Sequence, residues 1–352
     1  MNNMETPITK RVEYIDALRG VTMILVIYFH IACYSFGNDE MAYNFIIEKF
    51  RMPTFFFISG WVFYKANRIW DYNTIKEIIN KKFMVQIIPF LFFMLLYLYT
   101  FDFWELSSFG SDKKGYWFTF VLFEYFVLYI GAEALLNKNN NNKGELRVMS
   151  FVLLLSIIAF YYSMNYTRHA AELGNWKIIL GIFSFVKIKH FIFFWFGTFV
   201  RRHFETFVNY TNNQYFMAIV IAIYSFMIVY PSIYSTRGFE YLAYLFTGIT
   251  GITIIFTFFR KNEKHFTKEK WLGNTLQFIG RRTLDIYLLH YFILPYNLKY
   301  VGDWLLQNDN KSFDMLIILL LSLWIITFSL LISSAIRLSP FLAHYLFGAK
   351  RS

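Results

Sequence analysis

Apolar residues run in blocks of about twenty along the whole chain, parted by short polar or basic stretches, and that length is what a helix needs to cross a hydrocarbon slab roughly 30 Å thick. The blocks lie near 17–36, 45–65, 83–101, 116–136, 148–163, 178–199, 213–231, 239–259, 283–300 and 314–336. They predict an all-α, polytopic transmembrane bundle of about ten helices. Lys187, Lys189 and His190 interrupt the sixth block, which reads either as one span or as a re-entrant piece followed by a short helix. No internal repeat has a convincing period, and "NKNNNNKGELR" reads as a solvated loop. Residues 1–352 therefore read as a single integral-membrane domain.

Composition agrees with this pattern. Of 352 residues, 57% are hydrophobic and 22% aromatic, and the mean hydropathy is +0.40, which suits repeated membrane crossings better than a soluble core. The net charge of +11 resides in short clusters between the blocks, not on one amphipathic face, so it reads as orientation charge and not as a nucleic-acid surface. A ten-span arrangement gathers Lys10 and Arg11, Lys65–Lys82, Lys138–Arg147, Arg201–His203, Arg260–Lys270, and Lys350 with Arg351 on one side. That side should be cytoplasmic, with both termini there. The single cysteine, Cys33, excludes a disulfide framework within the chain and a Cys-based zinc cluster, and no metal site is expected. The first block is read as a retained span, because His30 stands where a lipoprotein cleavage box wants an aliphatic residue. P-loop, dinucleotide-binding, HExxH and GxSxG motifs do not occur.

Ionisable residues inside the blocks carry the candidate chemistry. Arg19 and His30 are eleven residues apart, about three full turns, so they project from one helix face roughly 16 Å apart along the axis. An anion entering from the cytoplasm would meet the guanidinium first, while the imidazole, with an ordinary pKa near 6.5, suits abstraction of a hydroxyl proton. The plainer alternative is an interfacial anchor and a hydrogen-bonded interior histidine; the shared face weighs against coincidence. In "FRMPTFFFISGWVFYK", residues 50–65, Pro53 suits a first helical turn and so fixes the helix entry. Arg51 beside it either bonds a polar acceptor or developing oxyanion near His30, or anchors at the headgroups. Ser59 and Gly60 read as packing residues, and Cys33 as an inert buried thiol.

Glu124 requires a partner, because a lone carboxylate in lipid costs a few kcal/mol. It either orients His30, as a candidate catalytic residue, or pairs with Arg51. Tyr116 and Trp117 fit an interfacial aromatic belt, and a ring there could equally stack on a sugar.

Three stretches resemble the acyltransferase 3 family of integral membrane O-acyltransferases: the first-span pair Arg19 and His30, "RMPTFFFISGW", and "RRTLDIYLLHYFILP" at residues 281–295. A short chain of this kind is most similar to the fucose 4-O-acetylase-like branch. The resemblance implies that His30 is catalytic, that Arg19 assists binding or catalysis, and that Arg51 belongs to the site. In the late motif, Tyr287 and His290 are candidate substrate-binding residues. For Asp285 the plainer alternative is a structural pairing with Arg281 or Arg282. It also implies acetyl-CoA or another acyl-CoA as donor, no tightly bound cofactor, and a sugar hydroxyl of a surface polysaccharide or lipid-linked glycan as acceptor. The setting would be the bilayer of the bacterial inner (cytoplasmic) membrane. Arg19, Lys76, Lys81, Lys82 and Arg282 would draw the polyanionic donor to the inner face. Direct transfer and an acyl-enzyme relay both stay open. Two rivals remain: an exporter of lipid-linked sugars, and an MBOAT-type acyltransferase, whose histidine would fall late in the chain, at His290.

Overall fold

A computed structural model describes residues 11–39, 41–66, 68–101, 105–137, 141–169, 176–236, 238–308 and 310–349. Lys10, Lys138, Lys350 and Arg351 of the basic clusters lie outside the described residues. Every regular element among the described residues is helical. The α-helices are α1 (Glu13–His30), α2 (Asn44–Phe63), α3 (Tyr72–Lys82), α4 (Ile88–Thr100), α5 (Trp117–Leu136), α6 (Asn142–His169), α7 (Trp176–Ile182) and α8 (Phe191–Arg202). They continue as α9 (Phe204–Asn212), α10 (Gln214–Val229), α11 (Phe239–Lys261), α12 (Trp271–Arg281), α13 (Thr283–Ile293), α14 (Lys299–Gln307), α15 (Lys311–Ile336) and α16 (Pro340–Phe347).

Among the described residues, six helical runs are long and apolar enough to cross a bilayer, and eight are if each of two bent pairs counts as one crossing. Of the ten expected spans, the two left over are α2, which carries Glu48, Lys49 and Arg51, and the late span. The expected single helix over 283–300 is corrected: α13 stops at Ile293 after eleven residues and α14 starts only at Lys299. Pro295 lies in that gap, and proline has no amide hydrogen with which to continue a helix. The sixth block is bent by 52° between α7 and the run Phe185–Arg202, just before the helical turn Phe185–His190 that carries Lys187, Lys189 and His190. Pro53 is a second correction. It lies inside α2, not at its start, so the Lys49 carbonyl has no helical amide to accept from.

Two helix pairs pack most extensively, α1 with α12 and α2 with α8, and glycine makes both approaches possible. A Cβ on Gly20 would lie 2.1 Å from the Leu276 carbonyl oxygen, and one on Gly280 1.8 Å from that of Asp16. In the other pair, a Cβ on Gly60 would lie 2.0 Å from the Phe194 oxygen, and one on Gly197 2.0 Å from that of Phe57. Reciprocal small residues let backbones touch, which is how helices gain contact where lipid removes the hydrophobic incentive to associate. Glu13 and Asp16 place negative charge in the first turn of α1, where the helix dipole favours it. Between these pairs the walls of an interior cavity are fixed.

Candidate active site

The cavity has a volume of about 620 Å³ and is walled by α1, α2, α3, α5, α13, and residues just before α8. Arg19 and His30 both line it, so the face they share on α1 is turned inward. Just after His30 the helix widens into a π-turn over Ile31–Ser35, which brings Tyr34 to the same wall. A second π-turn, Phe83–Ile87, brings Val85 and Gln86 to the opposite wall. Such turns recur at functional sites because they rotate side chains out of the regular helical stripe.

His30 is 8% exposed, and its Nδ1 lies 2.9 Å from Nε2 of His290. The Nδ1 of His290 lies 3.1 Å from the carbonyl oxygen of Ile286, one turn back on α13. That contact settles the proton positions in the neutral pair. A carbonyl oxygen only accepts, so Nδ1 of His290 carries a hydrogen and its Nε2 must accept. His30 therefore donates from Nδ1, and its Nε2 is left with a lone pair. The two rings are within 8° of parallel, and Tyr291 packs 3.9 Å from the His290 ring centroid. His290 itself does not line the cavity; it stands behind His30.

Three tyrosines clamp α13 to the start of α5. The Tyr287 hydroxyl donates to the Gly115 carbonyl at 2.9 Å and accepts from the Phe118 amide at 3.0 Å. Tyr291 donates to the same carbonyl at 3.2 Å, and Tyr116 donates to that of Leu288 at 3.0 Å. Gly115 has φ +99°, and a Cβ there would meet the Tyr291 ring at 2.2 Å; glycine is required on both counts. The clamp sets Tyr287, Trp117 and Phe118 on the cavity wall.

The cavity ends differ. At the Arg19 end stand Arg68, Lys81 and Lys82; Lys82 lies 3.7 Å over the Phe126 ring. At the other end, Arg51 lies 3.5 Å over the Phe29 ring, among Glu48, Asp112, Lys187, Lys189, His190 and Tyr244. Lys187 pairs with Asp112 at 2.5 Å. His190 bonds the Tyr244 hydroxyl through Nδ1 at 2.9 Å and clusters with Phe56 and Trp117, its plane within 18° and 17° of theirs. Several buried polar atoms of the wall have no protein partner: Nε of Arg19 and Arg51, Nη1 of Arg68, Oε1 of Gln86 and Oγ1 of Thr119. Unsatisfied groups lining one cavity mark a place built for a polar ligand.

Three expected site residues are not at this wall: His290, which stands behind His30, and Glu124 and Arg282. Glu124 does not line the cavity and makes no contact with His30; the charged group acting on it is Lys113. Leu122 and Phe126 face the cavity, and a two-residue step turns an α-helix by about 200°, which points Glu124 the other way. Arg282 bonds Asp285 at 3.1 Å and Ser333 at 3.2 Å, and Arg337 grips the same carboxylate with two contacts of 2.8 Å. It belongs to an ion-pair knot between α13 and α15. Lys76 is exposed, and Cys33 lies off the cavity. Sequence reasoning overlooked His190, Tyr244 and Glu48 as site residues. For His190 the signal was present, as a charged break in an apolar block.

Among the described residues, no group of three or more His, Cys, Asp or Glu side chains could hold a metal ion. No curated protein and no solved structure matches the chain. The sequence model of an acyltransferase domain, that of the acyltransferase 3 family, matches residues 12–336, nearly the whole chain. The protein belongs to the acyltransferase 3 family and is a multi-pass membrane acyltransferase.

Proposed function

We propose that the protein transfers an acyl group, acetyl in the simplest case, from cytosolic acyl-CoA to a hydroxyl of an extracytoplasmic or lipid-linked sugar, with His30 as general base. The Arg19 end of the cavity is then the cytoplasmic, donor mouth, and the Arg51 end the acceptor mouth, in a bacterial cytoplasmic membrane. One observation carries this reading: His30 lines a cavity with chemically distinct ends, and its ring is held in the tautomer that leaves Nε2 free to accept a proton.

The chemistry follows from that nitrogen. Nε2 of His30 takes the proton of the acceptor hydroxyl as its oxygen attacks the thioester carbonyl carbon. The tetrahedral oxyanion gains from cationic and hydroxyl donors, for which Arg51 and Thr119 have unpaired groups. The carbon–sulfur bond then breaks, the acyl group stays on the sugar oxygen, and the leaving thiolate takes the proton back from Nε2. The Nδ1–H of His30 remains bonded to His290 throughout, which holds the imidazolium in place as a triad carboxylate would, without its charge. With Cys33 off the wall, no cysteine is placed to carry the acyl group, and the direct route is favoured.

The MBOAT-type alternative would make His290 the base, yet both His290 nitrogens are engaged, one by Ile286 and one by His30. Membership of an acyltransferase family favours transfer over sugar export. The test is acetyl transfer by purified protein in nanodiscs. His30→Ala should lower turnover about 1,000-fold; undiminished turnover would overturn the role of the imidazole.

A further inference from the structure

A second cavity, of about 210 Å³, opens beside the donor mouth. Its wall carries Arg11, Asp16, Arg19, Trp61, Lys65 and Arg201, and it shares Arg19 and Val62 with the main cavity. Four cations thus face one carboxylate. That carboxylate is already occupied, since Asp16 is paired with Arg11 through both oxygens. Among the described residues neither Lys65 nor Arg201 has a carboxylate partner; the Arg201 guanidinium lies 4.1 Å over the Trp61 ring. Trp61 is only 4% exposed, and its indole Nε1, a donor, has no acceptor. Burial, together with the charges of Arg201 and Arg68, pulls the Lys65 ammonium below its usual pKa, as expected for cations crowded without a counter-ion.

We propose that this second cavity is a phosphate-binding vestibule that holds the bisphosphorylated nucleotide end of the thioester donor. The proposal rests on the reading of acyl-CoA as donor and adds the place and residues that would anchor it. Lys65, Arg201 and the Trp61 N–H supply charge and donors suited to phosphate oxygens, and the volume, about seven waters' worth, admits phosphates with part of a ribose. Arg19 stands at the junction and would meet the phosphate nearest the pantetheine arm. The arm then enters the main cavity along the α1 face that leads to His30. A lipid headgroup would offer the same phosphate chemistry, but its acyl tails have no route into a passage that ends on an imidazole.

The probe is adenosine 3′,5′-bisphosphate, bound at equilibrium to the full chain in phosphatidylcholine nanodiscs. Wild type should bind it with an affinity that falls as salt rises. Lys65→Gln and Arg201→Gln should each weaken binding about tenfold, whereas Lys65→Arg, which keeps the charge, should restore it and so exclude misfolding. No measurable binding by wild type, or binding indifferent to both neutral substitutions, overturns the proposal. So does Arg201-dependent capture of phosphatidylglycerol added to the nanodisc with no binding of the bisphosphate, which would assign the cavity to a headgroup. The donor reading fails separately. Bisphosphate binding as expected with no acetyl transfer from acetyl-CoA removes the donor and keeps the anion site. Transfer whose acetyl-CoA KM ignores both neutral substitutions removes the vestibule and keeps the donor.

Discussion

At one end of the main cavity Arg19, Arg68, Lys81 and Lys82 line the wall with no carboxylate among them; at the other, Glu48 and Asp112 stand beside Arg51, Lys187 and Lys189, with Trp117, His190 and Tyr244 between them. A surface of one sign in a low-dielectric setting attracts a polyanion and repays its desolvation. A mixed surface, where Asp112 pairs with Lys187 and flat rings line the wall, instead suits a neutral, many-hydroxyl molecule held by hydrogen bonds and stacking. His30 lies between the two, so the comparison assigns a direction to the reaction. The charged partner comes from the Arg19 side, the hydroxylic partner from the other, and they meet at one nitrogen.

The strongest way to break this picture is to remove what both ends share. His290 touches neither mouth, yet it fixes the His30 tautomer. His290→Ala should therefore lower kcat for every donor and acceptor alike, by about 100-fold. His290→Gln, whose side-chain oxygen can still accept from Nδ1 of His30, should recover part of that loss. As a positioning residue, His290 should also shift the limb of the pH–rate profile in the Ala variant. A fall in kcat with an unmoved profile would reduce its role to packing.

The next test sets one mouth against the other. Lys82→Gln should raise the KM for acyl-CoA about tenfold and leave the acceptor KM in place. Trp117→Ala should do the reverse, with a similar factor on the acceptor, because it removes a ring stacked on His190 at the opposite end. Both substitutions acting on the same substrate would erase the distinction between the mouths.

What the sequence disclosed and what it withheld divide along the range of the interactions. The shared face of Arg19 and His30 is a property of one helix, and helical periodicity is local, so their spacing was enough. The helical class and most of the apolar runs were legible for the same reason. The pairing of His30 with His290 joins residues 260 apart in the chain, and no periodicity encodes it; only the matched late motif drew notice to His290. Glu124 shows the limit from the other side. Its cost in lipid correctly demanded a partner, but which face of α5 turns inward is set by packing against neighbours, and that face carries Leu122 and Phe126. Arg282 likewise looked available until Ser333 of α15 and Arg337 just beyond it closed around Asp285. Pro53 looked like a helix start because proline is favoured there, whereas tertiary packing of α2 on α8 carries the helix through it.

The smallest effect concerns how the acceptor mouth is held. Lys113, in the segment before α5, is 5% exposed and reaches the end of α7, where its ammonium donates to the Ile182 carbonyl at 2.8 Å and the Ser184 hydroxyl at 2.6 Å. A cation at a helix C-terminus satisfies carbonyls the helix cannot, and here it ties together two segments that flank Asp112 and Lys187. Burial pushes its pKa down from 10.5 to about 8, against the pull of Glu124 and Asp112. Because the folded value lies below the unfolded one, the unfolded chain binds more protons between about pH 8 and 10.5, and stability should rise with pH across that window. The gain should be absent below pH 8 and abolished in Lys113→Met. Thermal unfolding of both proteins in detergent across that range measures it; parallel curves would mean that the ammonium is solvated in the folded protein, and that the acceptor mouth is tied less tightly than its hydrogen bonds indicate.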